Sequence, residues 1–284
     1  MAAHENLHEY YLHQHSNIEH YLELCLSHAE AELVHELRLS IKRLRAFHKL
    51  AEHLFLEDLA EHIHIKHRVR QLYKVAGQLR DTQVQINLLF SIEEQTGNEY
   101  PEFGNWLLKR EKKRIQRFGK KPQQVVPHTM ALSTHEKIGN LLALANDETI
   151  LNGAGFALSG LYSKARKFSV GNMSERNLHR IRIITKQMRY ILNIIVHSYP
   201  DFKFKEVSIG SLREIEIGAG NWHDNLVRIE LLDKFLNKRK FADDSEANKY
   251  HELLNACRSE LDLAYNEASR IVKNVLCFEG EDYQ

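Results

Sequence analysis

The chain has 284 residues, 43% of them hydrophobic, with 39 Lys and Arg against 38 Asp and Glu. That is ample apolar material for a packed core, in one large domain or two half-sized ones, and it excludes an intrinsically disordered chain. A formal net charge of +1 excludes a protein that holds nucleic acid by overall basicity, so any anion site must be a local concentration of charge.

The charge is unevenly spread. No Lys or Arg precedes Arg38, the run from Lys109 to Arg117 is almost wholly basic, and the tail Glu279-Gly280-Glu281-Asp282 is acidic. Three cysteines, Cys25, Cys257 and Cys277, are too few and too scattered for a disulfide framework or a Cys-based zinc site, which fits a reducing compartment. The N-terminus lacks a basic segment followed by an apolar core, and no run reaches the roughly 18 apolar residues that cross a bilayer. The expectation is a soluble, cytoplasmic chain with no membrane partner.

Only four prolines occur, at 101, 122, 127 and 200, and apolar residues recur every three or four positions, so the chain is expected to be all-α. The first helix is predicted over residues 4–28, where Leu7, Tyr11, Ile18, Leu22 and Cys25 share a face and the outer face is acidic and studded with histidine. A second helix covers 31–55, a third runs from 56 or 58 to 94 with Gly77 as a candidate bend, and a fourth covers 101–118. Pro122 and Pro127 then break the pattern. Shorter helices are predicted over 133–145 and 149–168, and Gly171-Asn172-Met173-Ser174 reads as a turn into an N-cap. Three more follow, ending at 199, then covering 205–238 and 244–277; Val125-Val126 is too short a β pattern to build on.

One stretch occurs twice. Val34-His35-Glu36-Leu37-Arg38-Leu39-Ser40-Ile41-Lys42-Arg43-Leu44-Arg45 is matched by Leu178-His179-Arg180-Ile181-Arg182-Ile183-Ile184-Thr185-Lys186-Gln187-Met188-Arg189. Both copies hold His, then Arg three residues on, Lys seven on and Arg ten on. At about 100° per residue those positions fall within an arc of roughly 80°, so one flank of each helix is cationic. Lys49 continues the first stripe at the same angle. Like charges at such spacings repel by a few tenths of a kcal/mol per pair, so a duplicated stripe suggests a polyanion that offsets the cost.

The repeat extends further. Ala76-Gly77-Gln78-Leu79-Arg80-Asp81-Thr82-Gln83-Val84 aligns with Ala219-Gly220-Asn221-Trp222-His223-Asp224-Asn225-Leu226-Val227, and at the same offset Arg70 meets Arg213. Two linked motifs at matching separation imply two related helical units, residues 4–119 and 133–278, joined by a linker over 120–132 and packed about a pseudo-twofold axis as one domain over 1–284.

A single basic stripe is ordinarily a solvated face. Two that keep His, Arg, Lys and Arg in matched positions favour an anion site, where Arg offers a fork of donors and Lys a mobile point charge. His35 and His179 either contact the anion or orient a neighbour within the helix interface, and with His223 they are the groups expected to respond to pH. Arg80 and His223 are expected to face the site, each one turn past a glycine that allows close approach of another backbone. Asp81 and Asp224 suit holding a nearby cation or a helix terminus.

Of eighteen histidines, His62, His64 and His67 make the densest cluster, yet no carboxylate or cysteine completes a tetrahedral set, so no metal and no cofactor are expected. A phosphate-binding glycine loop, a nucleophile elbow and a metalloprotease helix are all missing.

With both His-x-x-Arg helices and both following Asp motifs, the sequence resembles the CHAD family, the conserved histidine α-helical domains, over residues 5–277. The resemblance implies two pseudo-symmetric four-helix bundles with a basic groove or pore between them and binding of inorganic polyphosphate; the leading expectation is a non-enzymatic binding module that targets granules of that polymer. Its candidate contacts are His35, Arg38, Lys42, Arg45, Arg80, His179, Arg182, Lys186, Arg189 and His223, to which the helical angle and the repeat add Lys49, Arg70 and Arg213. Gln187 replaces the counterpart of Arg43, and the second copy has no match for Lys49, so the halves need not grip alike. Family members are often fused to a triphosphate-tunnel domain; the nearest stretch here, Glu214-Ile215-Glu216-Ile217-Gly218, lacks its Lys and sits in a helical pattern, so that catalytic partner is not expected in this chain. Nucleic-acid or nucleotide-phosphate binding is the alternative, disfavoured by net charge and by few aromatics within the stripes, with a histidine phosphohydrolase or metal enzyme third.

Overall fold

The computed structural model describes residues 3–55, 67–120, 132–239, 241 and 243–277. Among them lie nine helices and no strand, as the periodicity predicts: α1 (Ala3–Ser27), α2 (Ala31–Leu54), α3 (His67–Thr96), α4 (Pro101–Lys120), α5 (Leu132–Leu144), α6 (Asp147–Ser169), α7 (Glu175–Ser198), α8 (Ile209–Leu236) and α9 (Asp244–Cys277). The expected start of the third helix, most of the linker and Val125-Val126 fall outside the described residues.

Local chemistry sets several ends. Asn146 accepts from the Thr149 amide at 2.8 Å and Asp147 and Glu148 face the positive end of α6, while Ser174 accepts from Asn177 at 3.2 Å to open α7. The helix predicted from 205 begins at Ile209 instead, because Ser208 caps it by accepting from the Ser211 amide at 3.0 Å. α3 stays helical through Gly77.

The order of packing in the first half recurs in the second. α1 packs on α2, α2 on α3 and α3 on α4; α6 packs on α7, α7 on α8 and α8 on α9. Across the halves, α2 touches α6 and α7, and α3 touches α8. One core joins α1, α2 and α5 to α6 and the C-terminal part of α7 through Leu37, Ile41, Phe47, Leu158 and Ile191, and another joins the ends of α3 and α4 to α8 and α9 through Phe103, Leu107, Phe235 and Tyr250. A third core, through Leu178, Ile215, Trp222 and Val272, lies wholly within the second half. α5, expected within the second repeat, packs on α1 instead: Ile138 and Leu142 enter the first core, and at Gly139 a Cβ would come 2.7 Å from the His8 ring.

Candidate functional site

α2 buries Val34, Leu37, Ile41 and Leu44, and α7 buries Leu178, Ile181, Met188 and Ile191. Helical spacing then fixes where their cations go. The remaining flanks of the two helices, with α3 and α8 beside them, enclose a cleft of about 490 Å³. Arg38, Lys42, Arg45 and Lys49 line it from α2, Arg70 and Tyr73 from α3, Arg182 and Lys186 from α7, and His223 from α8. A second depression of about 460 Å³ shares Arg182, Lys186 and Asp224 with the first and adds Arg189, Arg213, Glu216 and Gly220.

Crowding of like charge is the dominant electrostatic feature. Burial, followed by the charges of Lys186 and Arg38, pulls the Lys42 ammonium down from 10.5 to about 7. Lys186 is lowered too, by burial and then by Arg182, although Glu216 opposes the shift. Burial, with Arg182 next, pushes His223 down to about 4, so its ring is neutral at pH 7; its Nδ1 has no hydrogen-bond partner among the described residues. Asp81, open to solvent yet crowded by protein, and Asp224 are both raised by desolvation, while Arg38, Arg182, Lys42 and Arg114 draw Asp81 the other way.

The two stripes rest on different supports. Arg38 lies over the Tyr73 ring at 4.7 Å, donates to the Tyr73 carbonyl at 3.2 Å, and passes so close to Gly77 that a Cβ there would collide with its guanidinium. Arg45 lies over the same ring at 5.1 Å. At the offset that matches Arg70 to Arg213, Tyr73 corresponds to Glu216. Glu216 accepts from Arg189 Nε at 2.5 Å and sits 3.6 Å from Lys186 Nζ. Burial raises the Glu216 carboxyl, but the Arg189 hydrogen bond and the charge of Lys186 outweigh it and hold the group ionised.

Arg38, Lys42, Arg45, Lys49, Arg70, Arg182, Lys186 and His223 thus meet in one cleft, and Arg189 and Arg213 adjoin it in the second depression. His35, Arg80 and His179 line neither. Arg80 donates to the Ala31 carbonyl at 3.2 Å, and Gln83 to Ala29 at 2.9 Å, so this turn of α3 pins the start of α2 and fixes the angle of its stripe. His35 is half-buried, with its pKa lowered by burial and then by Arg80. His179 is exposed, 5.5 Å from the His223 ring. Gly77 admits a side chain rather than a backbone, and at Gly220 nothing lies within 4 Å of a Cβ.

Tyr73, His48, Tyr190 and Glu216 also line the two cavities. Residue spacing alone does not assign them to the site, although Tyr73 and Glu216 each sit one turn before a repeat glycine, three residues past the paired arginines Arg70 and Arg213. Among the described residues no group of His, Cys, Asp and Glu is placed to hold a metal ion, and no helix is long and apolar enough to cross a membrane. His62, His64 and the side chain of His67 lie outside the described residues.

Comparison with known proteins speaks to the same architecture. No curated protein sequence matches the chain. The crystal structure of the CHAD domain from the plant Ricinus communis superposes with a TM-score of 0.70 at 15% identity, covering 99% of this chain and 93% of that one. PptA from Streptomyces chartreusis gives 0.60 at 14% identity, covering 95% and 99%. At such identities the likeness is one of fold. The sequence profile of the CHAD domain matches residues 9–233, a span that holds both histidine helices and both Asp motifs, and the chain therefore belongs to the CHAD domain family.

Proposed function

We propose that the cleft binds inorganic polyphosphate and does not turn it over. The observation that carries this reading is the convergence of two cationic stripes from separate helices on one cavity, close enough that Lys42 is depressed to about 7 with Lys186 among the causes. A fold keeps mutually repelling lysines at a cost, and a chain of phosphates removes it by screening both at once. Arg38 and Arg182 supply forks for phosphate oxygens, Lys42 and Lys186 supply point charges between them, and Arg45 and Arg70 extend the track to the solvent side. Asp81 and Asp224 are embedded among these cations and suit balancing them rather than holding a metal. Cytoplasmic association with polyphosphate granules fits a binder of this kind.

The test is a gel-shift competition at fixed salt with polyphosphate, single-stranded nucleic acid and duplex as competitors. Polyphosphate should displace both nucleic acids. Preferential binding of either nucleic acid would assign the cleft to that ligand instead. Incubation with polyphosphate and magnesium or manganese should release no orthophosphate above a control, and protein-dependent release that survives repurification would make the protein an enzyme.

A further inference from the structure

α4 carries a second concentration of charge that the cleft does not include. From Lys109 to Lys120 it has seven cations and one acid, Glu111, so the rest of the chain is net acidic. Six of them, Lys109, Arg110, Lys113, Arg114, Arg117 and Lys120, fall within an arc of about 140° at 100° per residue, whereas Leu108, Glu111, Lys112 and Ile115 take the opposite flank. Cations in the last turn, Arg117 and Lys120, gain from the helix dipole. Lys109 to Arg114 lie too far back to gain, and they repel at spacings of three and four.

Among the described residues none of the six forms an ion pair with a carboxylate, and only Arg114 has Asp81 among the charges acting on it. By contrast, Lys234 on α8 pairs with Glu230 and Arg258 on α9 lies 3.6 Å from Asp233. The flank also joins the cleft. Arg114 donates to Gln78 Oε1 on α3, three residues from Asp81, and the Asp81 carboxylate at the cleft wall feels Arg114 together with Arg38, Lys42 and Arg182. One field of cations therefore runs from the cleft, past Asp81, onto α4. The other outer helix, α9, interleaves exposed Glu252, Glu260, Asp262 and Glu267 with Arg258, Arg270 and Lys273, so it offers no unbroken cationic flank.

We propose that this flank of α4 is an outer subsite for the same polyanion: a polyphosphate chain too long for the cleft leaves it on the Asp81 side and lies along Lys113, Arg117 and Lys120. The inference rests on the reading of the cleft as a polyphosphate site and adds a direction to it. A chain can leave over the unbroken cationic flank of α4 but meets carboxylates among the cations of α9, so a long ligand overhangs the cleft on the α4 side.

The experiment compares triphosphate with long-chain polyphosphate on the full chain. Lys113→Gln, Arg117→Gln and Lys120→Gln are combined in one variant; all three side chains are exposed, so the fold should survive. Lys203→Gln, Lys205→Gln and Lys273→Gln, equally exposed, make a charge-matched control. Long-chain affinity of the α4 variant should fall about tenfold, and the slope of log affinity against log salt should drop by about two to three, while triphosphate binding and the control stay within about twofold of the parent. Equal losses in variant and control, or a loss as large for triphosphate as for the long chain, would overturn the outer subsite and leave the cleft reading intact. A parent that binds neither ligand would overturn both. Loss of single-stranded RNA binding with long-chain polyphosphate unaffected would hand the flank to nucleic acid and overturn the proposal.

Discussion

The two stripes carry the same cations in the same order, yet they differ in what stands behind them. On α2, Arg38 and Arg45 lie on the Tyr73 ring, whose face attracts a guanidinium without cancelling its charge. On α7, Arg189 lies over the Tyr190 ring at 4.8 Å but shares the Glu216 carboxylate with Lys186, and Glu216 occupies the place of Tyr73 in the second repeat; on α2, among the described residues, only Lys49, at the end of its stripe, is paired, with Glu52. An aromatic support leaves the cation available to a ligand, whereas a carboxylate competes with the ligand for it. A sequence repeat thus keeps the residue types of a site while one substitution behind it changes how strongly each half can grip.

The largest expected effect tests that inequality directly. Removing Lys42 and Arg45 (Lys42→Met with Arg45→Gln) should weaken long-chain polyphosphate about a hundredfold, while the equivalent Lys186→Met with Arg189→Gln should cost about tenfold, since part of that charge is already spent on Glu216. Titration of both variants with one polyphosphate preparation checks the ratio, and equal losses would mean that Glu216 does not weaken its half. Next in size, Glu216→Gln should tighten binding about fivefold, equivalent to about 1 kcal/mol, by freeing Arg189 and Lys186. Its melting temperature should fall slightly, because Arg189 loses an ionic partner. Binding that weakens in this variant would show the carboxylate to be a scaffold for the ligand-binding cations rather than their competitor.

A smaller effect lies in pH. Lys42, lowered from 10.5 to about 7, is partly neutral in the free protein near neutrality, and bound phosphates favour its charged form. Binding should therefore take up a proton above about pH 7, and affinity should fall as pH rises from there. Folding responds with the opposite sign. Between about 7 and 10.5 the unfolded chain binds the proton that the native state has released, so the contribution of Lys42 to stability improves as pH rises through that window. Calorimetry in buffers of different ionisation enthalpy reads the proton uptake, and Lys42→Met should remove it. Unchanged uptake in that variant would shift the response to another group.

That response illustrates what the sequence could and could not convey. Helix periodicity, the Ser174 cap and the duplicated stripes are local patterns, so the all-α class and most of the cleft's cations were legible from residue spacing alone. The pH response, expected from His35, His179 and His223, moves toward Lys42 because burial beside other cations is a tertiary property and because His35 and His179 stand outside the cleft. Arg80 shares its position in the repeat with His223, but its guanidinium turns to the Ala31 carbonyl, a choice set by how α3 meets the α1 to α2 turn. Tyr73 and Glu216 escaped notice because a match of position with a mismatch of chemistry looks like divergence until both are seen behind the same cations. Chain order places α5 with the second repeat, whereas its buried contacts attach it to α1.

The central claim, that the paired stripes of the cleft form a polyphosphate site retained against their own repulsion, is tested most directly by Lys42→Met combined with Lys186→Met. Lys186 lowers the Lys42 ammonium and Arg182 crowds both, so removing the two lysines relieves repulsion in the fold while deleting the middle of the proposed track. Melting temperature and long-chain polyphosphate affinity are measured on the same preparation. The expected result is a melting temperature equal to or above that of the parent with affinity lowered at least about a hundredfold. A variant that folds as well as the parent and binds polyphosphate equally tightly would contradict the account.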